Sequence, residues 1–321
     1  MTEVVYDGSL EGIFVVLDGV CRGAPLPDRI RPVSGGYSPA LTSPELDASG
    51  YRNDPAQEDL FGTEDAGKMY PPKGERAGVF SGSAECRPSG SGAVKELFSV
   101  SANAFDSFIY GWMSEFPIAA DLVRFAWKVI AAARAGGRGR PGDTRSPEAR
   151  LAAGRAAADR GDPAVAATLA AAFKVCREID RLRGLLRFAP DSLGVYTARC
   201  APDHFVLPDL AEHFFLRFGD TPWAIMDEKR QLALVCPADG EPRLVRAAVP
   251  RYSAATLMGP ARTETPAFQA GADSTGEIPA ADSWGELWRK YHRSVNNESR
   301  RNPALQGHFM PVRYRKYLNE L

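Results

Sequence analysis

Between Arg22 and Lys95 the chain loses the periodicity a packed element requires: 20 of these 74 residues are Gly or Pro, and the apolar residues occur singly. Such a stretch buries too little apolar surface to offset the entropy of ordering it. It is read as a disordered insertion over 22–95. The fold must then be built from residues 1–21 and from the chain beyond residue 95. With 321 residues in all, enough remains for one or two domains with a substantial core.

Thr2 to Tyr6 reads as a strand, and Asp7-Gly8-Ser9 turns the chain into a helix with Leu10, Ile13, Phe14, Leu17 and Val20 on one face. This strand and helix, residues 1–21, belong to the core. Over residues 96–249 the spacing predicts a helical core carrying a β-meander. Phe105, Phe108, Ile109 and Trp112 mark one helix, and Pro117 opens another through Ile118, Leu122, Phe125 and Val129. After a Gly/Arg-rich break, Ser146-Pro147 and Asp162-Pro163 start two more. Short β-type runs at Trp223–Met226, Gln231–Val235 and Arg243–Val249 suit a three-stranded antiparallel meander. Residues 250–281 form an irregular linker. In residues 282–321, a basic aromatic block, the stripe Trp284, Leu287, Trp288, Tyr291 and Val295 is expected to dock on the core. The fold class is α+β, mainly helical with a small antiparallel meander.

A net charge of −1 and a pI near 6.5 exclude a uniformly basic nucleic-acid coat. No run approaches the roughly 18 apolar residues of a membrane helix, so no membrane association is expected and the chain is placed in the cytoplasm. The five cysteines lie far apart and the four histidines lack ligand spacing, so neither a disulfide nor a metal or other cofactor is expected. The phosphate loop, the dinucleotide-binding glycine pattern and the nucleophile elbow are all missing.

Chemistry-bearing residues concentrate in 181–218 and 284–321. Asp203-His204 follows Pro202 in a loop, while Asp209, His213 and Arg217 recur every fourth residue of a predicted helix. The stripe suits a phosphate grip or a proton-transfer group, or it is a solvated face of ordinary charge pairs. Phe214, Phe215 and Phe218 read as core. Arg181, Arg183 and Arg187 around Gly184 form an anion corner, or they cap a helix end. From Trp284 to Leu321, eight Lys/Arg face three Glu, a local +5, interleaved with aromatic residues that suit base stacking.

The segments YDGSLEGIF, RLRGLLRF, PDHFVLPDLAEHFFLRF, PWAIMDEKRQLAL and the closing LWRKYHRSVNNESRRNPALQGHFMPVRYRKYL resemble a bacterial family designated DNA metabolism proteins. Its members are encoded beside a radical SAM protein of DNA modification or repair, and related domains are fused to uracil-DNA glycosylase-like modules. The resemblance spans residues 4–20 and 98–321. The family's elements fall on Arg187-Phe188, on Pro202-Asp203-His204, on His213, Phe214, Arg217 and Phe218, on Arg300, Asn302 and Pro303, and on Met310, Pro311, Arg313 and Tyr314. The insertion after the first helix departs from the pattern, and the G-x-D-P start of the glycosylases is absent.

The resemblance implies a DNA-repair setting beside a radical SAM repair or modification enzyme, and the local +5 of the closing block in an otherwise acidic chain makes a nucleic-acid-binding accessory partner, with DNA as ligand, the expected role. Arg187, Arg217, Arg300, Arg313 and Tyr314 are the phosphate or stacking residues. If the protein turns over a substrate, Asp203, His204 and His213 carry the proton transfers of a hydrolase or lyase acting on damaged nucleotides. A protein-interaction scaffold is the remaining alternative.

Overall fold

The structure is a computed structural model. It describes residues 2–32, 92–137, 144, 146–191, 194–238, 240–246, 283–300, 302–303, 305, 310 and 312–318. The described residues divide into two compact units. The first holds the chain up to Asp180 together with Asp203–Asp209, and the second holds Arg181–Pro202 and the chain from Leu210 onward.

In the first unit, β1 (Glu3–Tyr6) leads into α1 (Leu10–Cys21) through a turn built by Asp7, Gly8 and Ser9. Gly8 takes a φ of 86°, where a side chain would be strained. One Asp7 oxygen accepts the Ser9 amide at 2.9 Å and its hydroxyl at 2.7 Å, and Ser9 Oγ in turn accepts the Gly12 amide at 2.9 Å to cap α1. A Cβ at Gly12 would collide with the Asp7 carboxylate, so the sequence Asp-Gly-Ser-Leu-Glu-Gly is one interlocked device. Ile13, Phe14, Leu17 and Val20 are buried, as the spacing requires.

The structure changes the boundary of the insertion at both ends. Arg29–Pro32 forms β2, paired in parallel with β1 from Glu3↔Arg29 to Tyr6↔Pro32, and α2 begins at Gly92 and ends at Val100. The remainder of the segment expected to be disordered lies outside the described residues. Asp18 of α1 accepts the Ala93 amide at 2.9 Å, so the returning chain starts its helix against the one it left. Next come α3 (Ala102–Met113), α4 (Ala119–Gly136), α5 (Pro147–Ala158) and α6 (Pro163–Leu185). Arg134 of α4 forks onto Glu96 of α2 at 2.8 and 2.6 Å. Lys128 joins Asp159 and Asp162 at 2.7 and 2.9 Å. The α4 and α5 backbones approach closely through Ala133, Gly136, Ala149 and Ala153, and a Cβ at Gly136 would come within 2.8 Å of that of Ala152.

The second unit is organised on a five-stranded sheet in the order β3-β4-β5-β6-β7: β3 (Ala189–Pro190), β4 (Tyr196–Cys200), β5 (Trp223–Asp227), β6 (Leu232–Cys236) and β7 (Arg243–Arg246). Its last three strands are the expected antiparallel meander. The pattern missed β3 and β4, and β4 runs parallel to β5, with α7 (Leu207–Phe218) as the crossover. Phe214, Phe218, Trp223 and Phe188 pack ring against ring at 4.7 to 6.4 Å. Phe215, expected in the core, is instead 39% exposed, because it follows Phe214 on the outward side of the helix.

Near the C-terminus lie α8 (Ser283–Val295), a 3₁₀ turn (Glu298–Arg300) and the single turn α9 (Val312–Arg315). Of the α8 stripe expected to dock on the core, Leu287, Trp288, Tyr291 and Val295 are exposed, and the Trp284 side chain lies outside the described residues. The segment that does pack is the last one, where Tyr314 and Leu318 are buried.

Candidate functional site

Five of the residues nominated for phosphate or stacking belong to the second unit. Arg187 donates through Nη1 to the Gly184 carbonyl at 2.8 Å, which makes it a cap on the last turn of α6, the second of the two roles its sequence allowed. Arg217 is exposed on α7 and has no acidic partner among the described residues. His213, half-buried, stands edge-on to Phe214 with ring centroids 4.8 Å apart. Arg300 is exposed and closes an open hollow of about 360 Å³ with His292, Val295, Asn296 and Asn297. Arg313 lies over the Tyr314 ring at 4.8 Å and donates to its hydroxyl at 3.0 Å. Tyr314 is only 2% exposed, so its ring offers no face to a base.

The exposed aromatic surface is on α8. Trp288 and Tyr291, one turn apart, hold their ring centroids at 5.7 Å and 36°, and Leu287 and Val295 extend the same face. Arg289, Lys290 and Arg293 lie on the same helix, with Glu286 in its first turn. Among the described residues, Lys290, Arg293, Arg300 and Arg315 have no acidic partner. Sequence spacing marked this stripe, but spacing alone reads the same for a buried and for a bare helix face.

Glu228 anchors the closing segment. The Tyr317 hydroxyl donates to its Oε2 at 2.6 Å, with Lys316 at 3.5 Å from the same oxygen and Arg199 at 3.5 Å from Oε1. The Tyr317 hydrogen bond first, and then the two cations, hold the Glu228 carboxyl below its ordinary 4.5. A depressed carboxylate stabilises the folded state at every pH above its unfolded value, and that contribution is lost as pH falls through the lower folded one. The Tyr317 ring resonances are therefore expected to stay dispersed above about pH 4.5 and to move toward random-coil positions in more acid solution. Glu228→Gln should abolish that transition; a Tyr317 signal indifferent to acid in the native chain would contradict the anchoring.

Asp203 and His204 belong to the first unit, where the structure ties them to a residue the sequence did not nominate. Glu178, 2% exposed on α6, accepts the Asp203 amide at 3.0 Å and the His204 amide at 2.8 Å. His204 Nδ1 lies 2.7 Å from the Ser114 carbonyl, and the Phe205 amide donates to the Met113 carbonyl at 2.9 Å. Asp209, expected as an open carboxylate of the α7 stripe, is buried and accepts the Tyr110 hydroxyl at 3.0 Å. Burial and that carboxylate push the Tyr110 hydroxyl well above its ordinary range. Glu178 escaped notice because it lies in a charge-rich helical run that reads as a solvated face. No group of three or more metal-ligating side chains occurs among the described residues.

A family model described as a domain of unknown function, DUF4130, matches residues 149–320, more than half of the chain. The chain belongs to the DUF4130 family. No curated protein and no solved structure matches it. The DUF4130 region contains all eight nominated residues, Lys174, Glu178 and all of α8, whereas Ser114 and Phe116 precede it. No helix among the described residues is long and apolar enough to cross a membrane.

Proposed function

We propose that this DUF4130 chain binds single-stranded nucleic acid through α8 and the basic residues that come after it, as an accessory partner of a radical SAM DNA-repair or modification enzyme. The observation that carries the binding role is the exposed Trp288–Tyr291 pair beside Lys290, Arg293 and Arg300, which have no acidic partner among the described residues. Aromatic faces stack on bases without regard to sequence, and uncompensated Lys and Arg meet phosphates. The enzymatic partner comes from the resemblance of the sequence blocks and gives the binding a DNA-repair setting. Leu287 and Val295 favour a second reading, in which the same face docks a protein partner, because an aliphatic stripe contributes nothing to base stacking.

Binding of fluorescent single- and double-stranded DNA to the full chain across a salt series separates the two. Affinity is expected to fall steeply with salt. Trp288→Ala and Tyr291→Ala should each weaken single-strand binding about 5- to 150-fold, from about 1–3 kcal/mol per stacked base, without lowering the melting temperature. No binding at low salt, or full binding by the double variant, would overturn the nucleic-acid reading.

A further inference from the structure

We propose that Phe116, Lys174 and His204 form a second site, in the first unit, that takes the phosphate group of a phosphate monoester. The inference stands independently of the nucleic-acid reading of α8.

His204 is 8% exposed, and it is held at three points, one on its backbone and two on its ring. Its amide is bound by Glu178, Nδ1 faces the Ser114 carbonyl at 2.7 Å, and its ring meets Phe116 at 74° with centroids 5.2 Å apart. A carbonyl only accepts, so Nδ1 carries its hydrogen and donates. The remaining nitrogen, Nε2, has no partner among the described residues, and it is not one of the sealed polar atoms. One imidazole nitrogen is thus fixed by the fold and the other is left for something the chain does not supply.

Three unfavourable features converge on that one ring: an almost fully buried carboxylate at Glu178, a buried imidazole, and a left-handed backbone at Glu115 with φ 58°. Glu115 lies between the residue whose carbonyl holds Nδ1 and the residue whose ring packs on the imidazole. A supporting set that holds one side chain at such cost is the mark of a preorganised binding group.

The class of ligand is set by the neighbours. The Lys174 ammonium lies 4.7 Å from the Phe116 ring centroid, which places it within about 10 Å of the imidazole. Lys174 is exposed and has no acidic partner among the described residues, and the same holds for Arg177 one turn further along α6. A phosphate monoester satisfies both at once: its protonated oxygen donates to Nε2, which accepts while Nδ1 keeps the ring hydrogen, and its other oxygens accept the lysine hydrogens. Phe116, 36% exposed, supplies an apolar wall beside the ester substituent.

The test is histidine-selective NMR of the full chain titrated with inorganic phosphate, a mononucleotide, and oligonucleotides with and without a 5′-phosphate. Saturable movement of the His204 Nε2 and Hε1 signals is expected. Lys174→Ala, a change at the surface, should weaken it about tenfold or more. His204→Asn keeps a donor in the place of Nδ1, removes Nε2, and should abolish the specific component; its melting curve checks that it folds. Preference for the mononucleotide over inorganic phosphate supports a free phosphoester ligand. Preference for the 5′-phosphorylated strand over its 5′-hydroxyl counterpart, retained in the Trp288→Ala/Tyr291→Ala variant, supports a strand end. Unmoved His204 signals, unsaturable drift shared with other surface residues, or Lys174→Ala binding as tightly as the native chain would overturn the proposal.

Discussion

Glu178→Ala is expected to destabilise the first unit by about 3–5 kcal/mol and to release the turn that carries His204. Hydrogen bonds to a charged acceptor contribute about 1.5–3 kcal/mol each, and this carboxylate accepts two neighbouring amides, at 3.0 and 2.8 Å. The His204 amide is buried and water does not replace its lost partner, whereas exposed Asp203 recovers part of its share from solvent. Glu178→Gln should cost roughly half as much, because its carbonyl still accepts one amide while its amino group opposes the other. Urea denaturation gives the free energy, and hydrogen exchange at the His204 amide reads the turn directly. A loss below about 1 kcal/mol with unchanged His204 protection would mean that Glu178 is incidental to the turn.

The second large effect is expected at the β5–β6 turn. Asp227 is fully buried and accepts the Lys229 amide at 2.9 Å, the Arg230 amide at 3.2 Å and the Arg230 guanidinium at 2.8 Å; the Arg230 side chain is 7% exposed and reaches the Pro202 carbonyl at 3.2 Å. Burial pushes the Asp227 carboxyl up while Arg230 pulls it back, so the ion pair only partly offsets its own desolvation. Asp227→Ala leaves a guanidinium buried without its counter-ion and should cost about 3–5 kcal/mol. The double change Asp227→Ala/Arg230→Met is expected to recover most of that loss, because an apolar pair demands no solvation. If the double variant is as unstable as the single one, the turn hydrogen bonds matter more than the charge.

Periodicity exposed what is local. The α1 face, the caps at Ser146 and Asp162 and the meander all arise from spacing and turn chemistry within a few residues. It could not expose pairings set from far away. The strand β2 is four residues ending in Pro32 and exists because β1, far back in the chain, accepts it, while β3, two residues ending in Pro190, is too short to show a period although its partner β4 follows closely. The candidate residues divide the same way. Asp203 and His204 were visible by type, but Glu178, which holds them, was hidden in a helix of ordinary charge pattern. Tyr314 and Trp288 were both aromatic residues in a basic run, and only tertiary packing decides that the first is covered and the second exposed.

The contact from Asp18 to the Ala93 amide joins residues 75 positions apart in the chain. The first turn of α2 thus takes an acceptor from α1, and loss of that one carboxylate would loosen the start of the second helix while leaving the Ser9 cap at the opposite end of the first untouched.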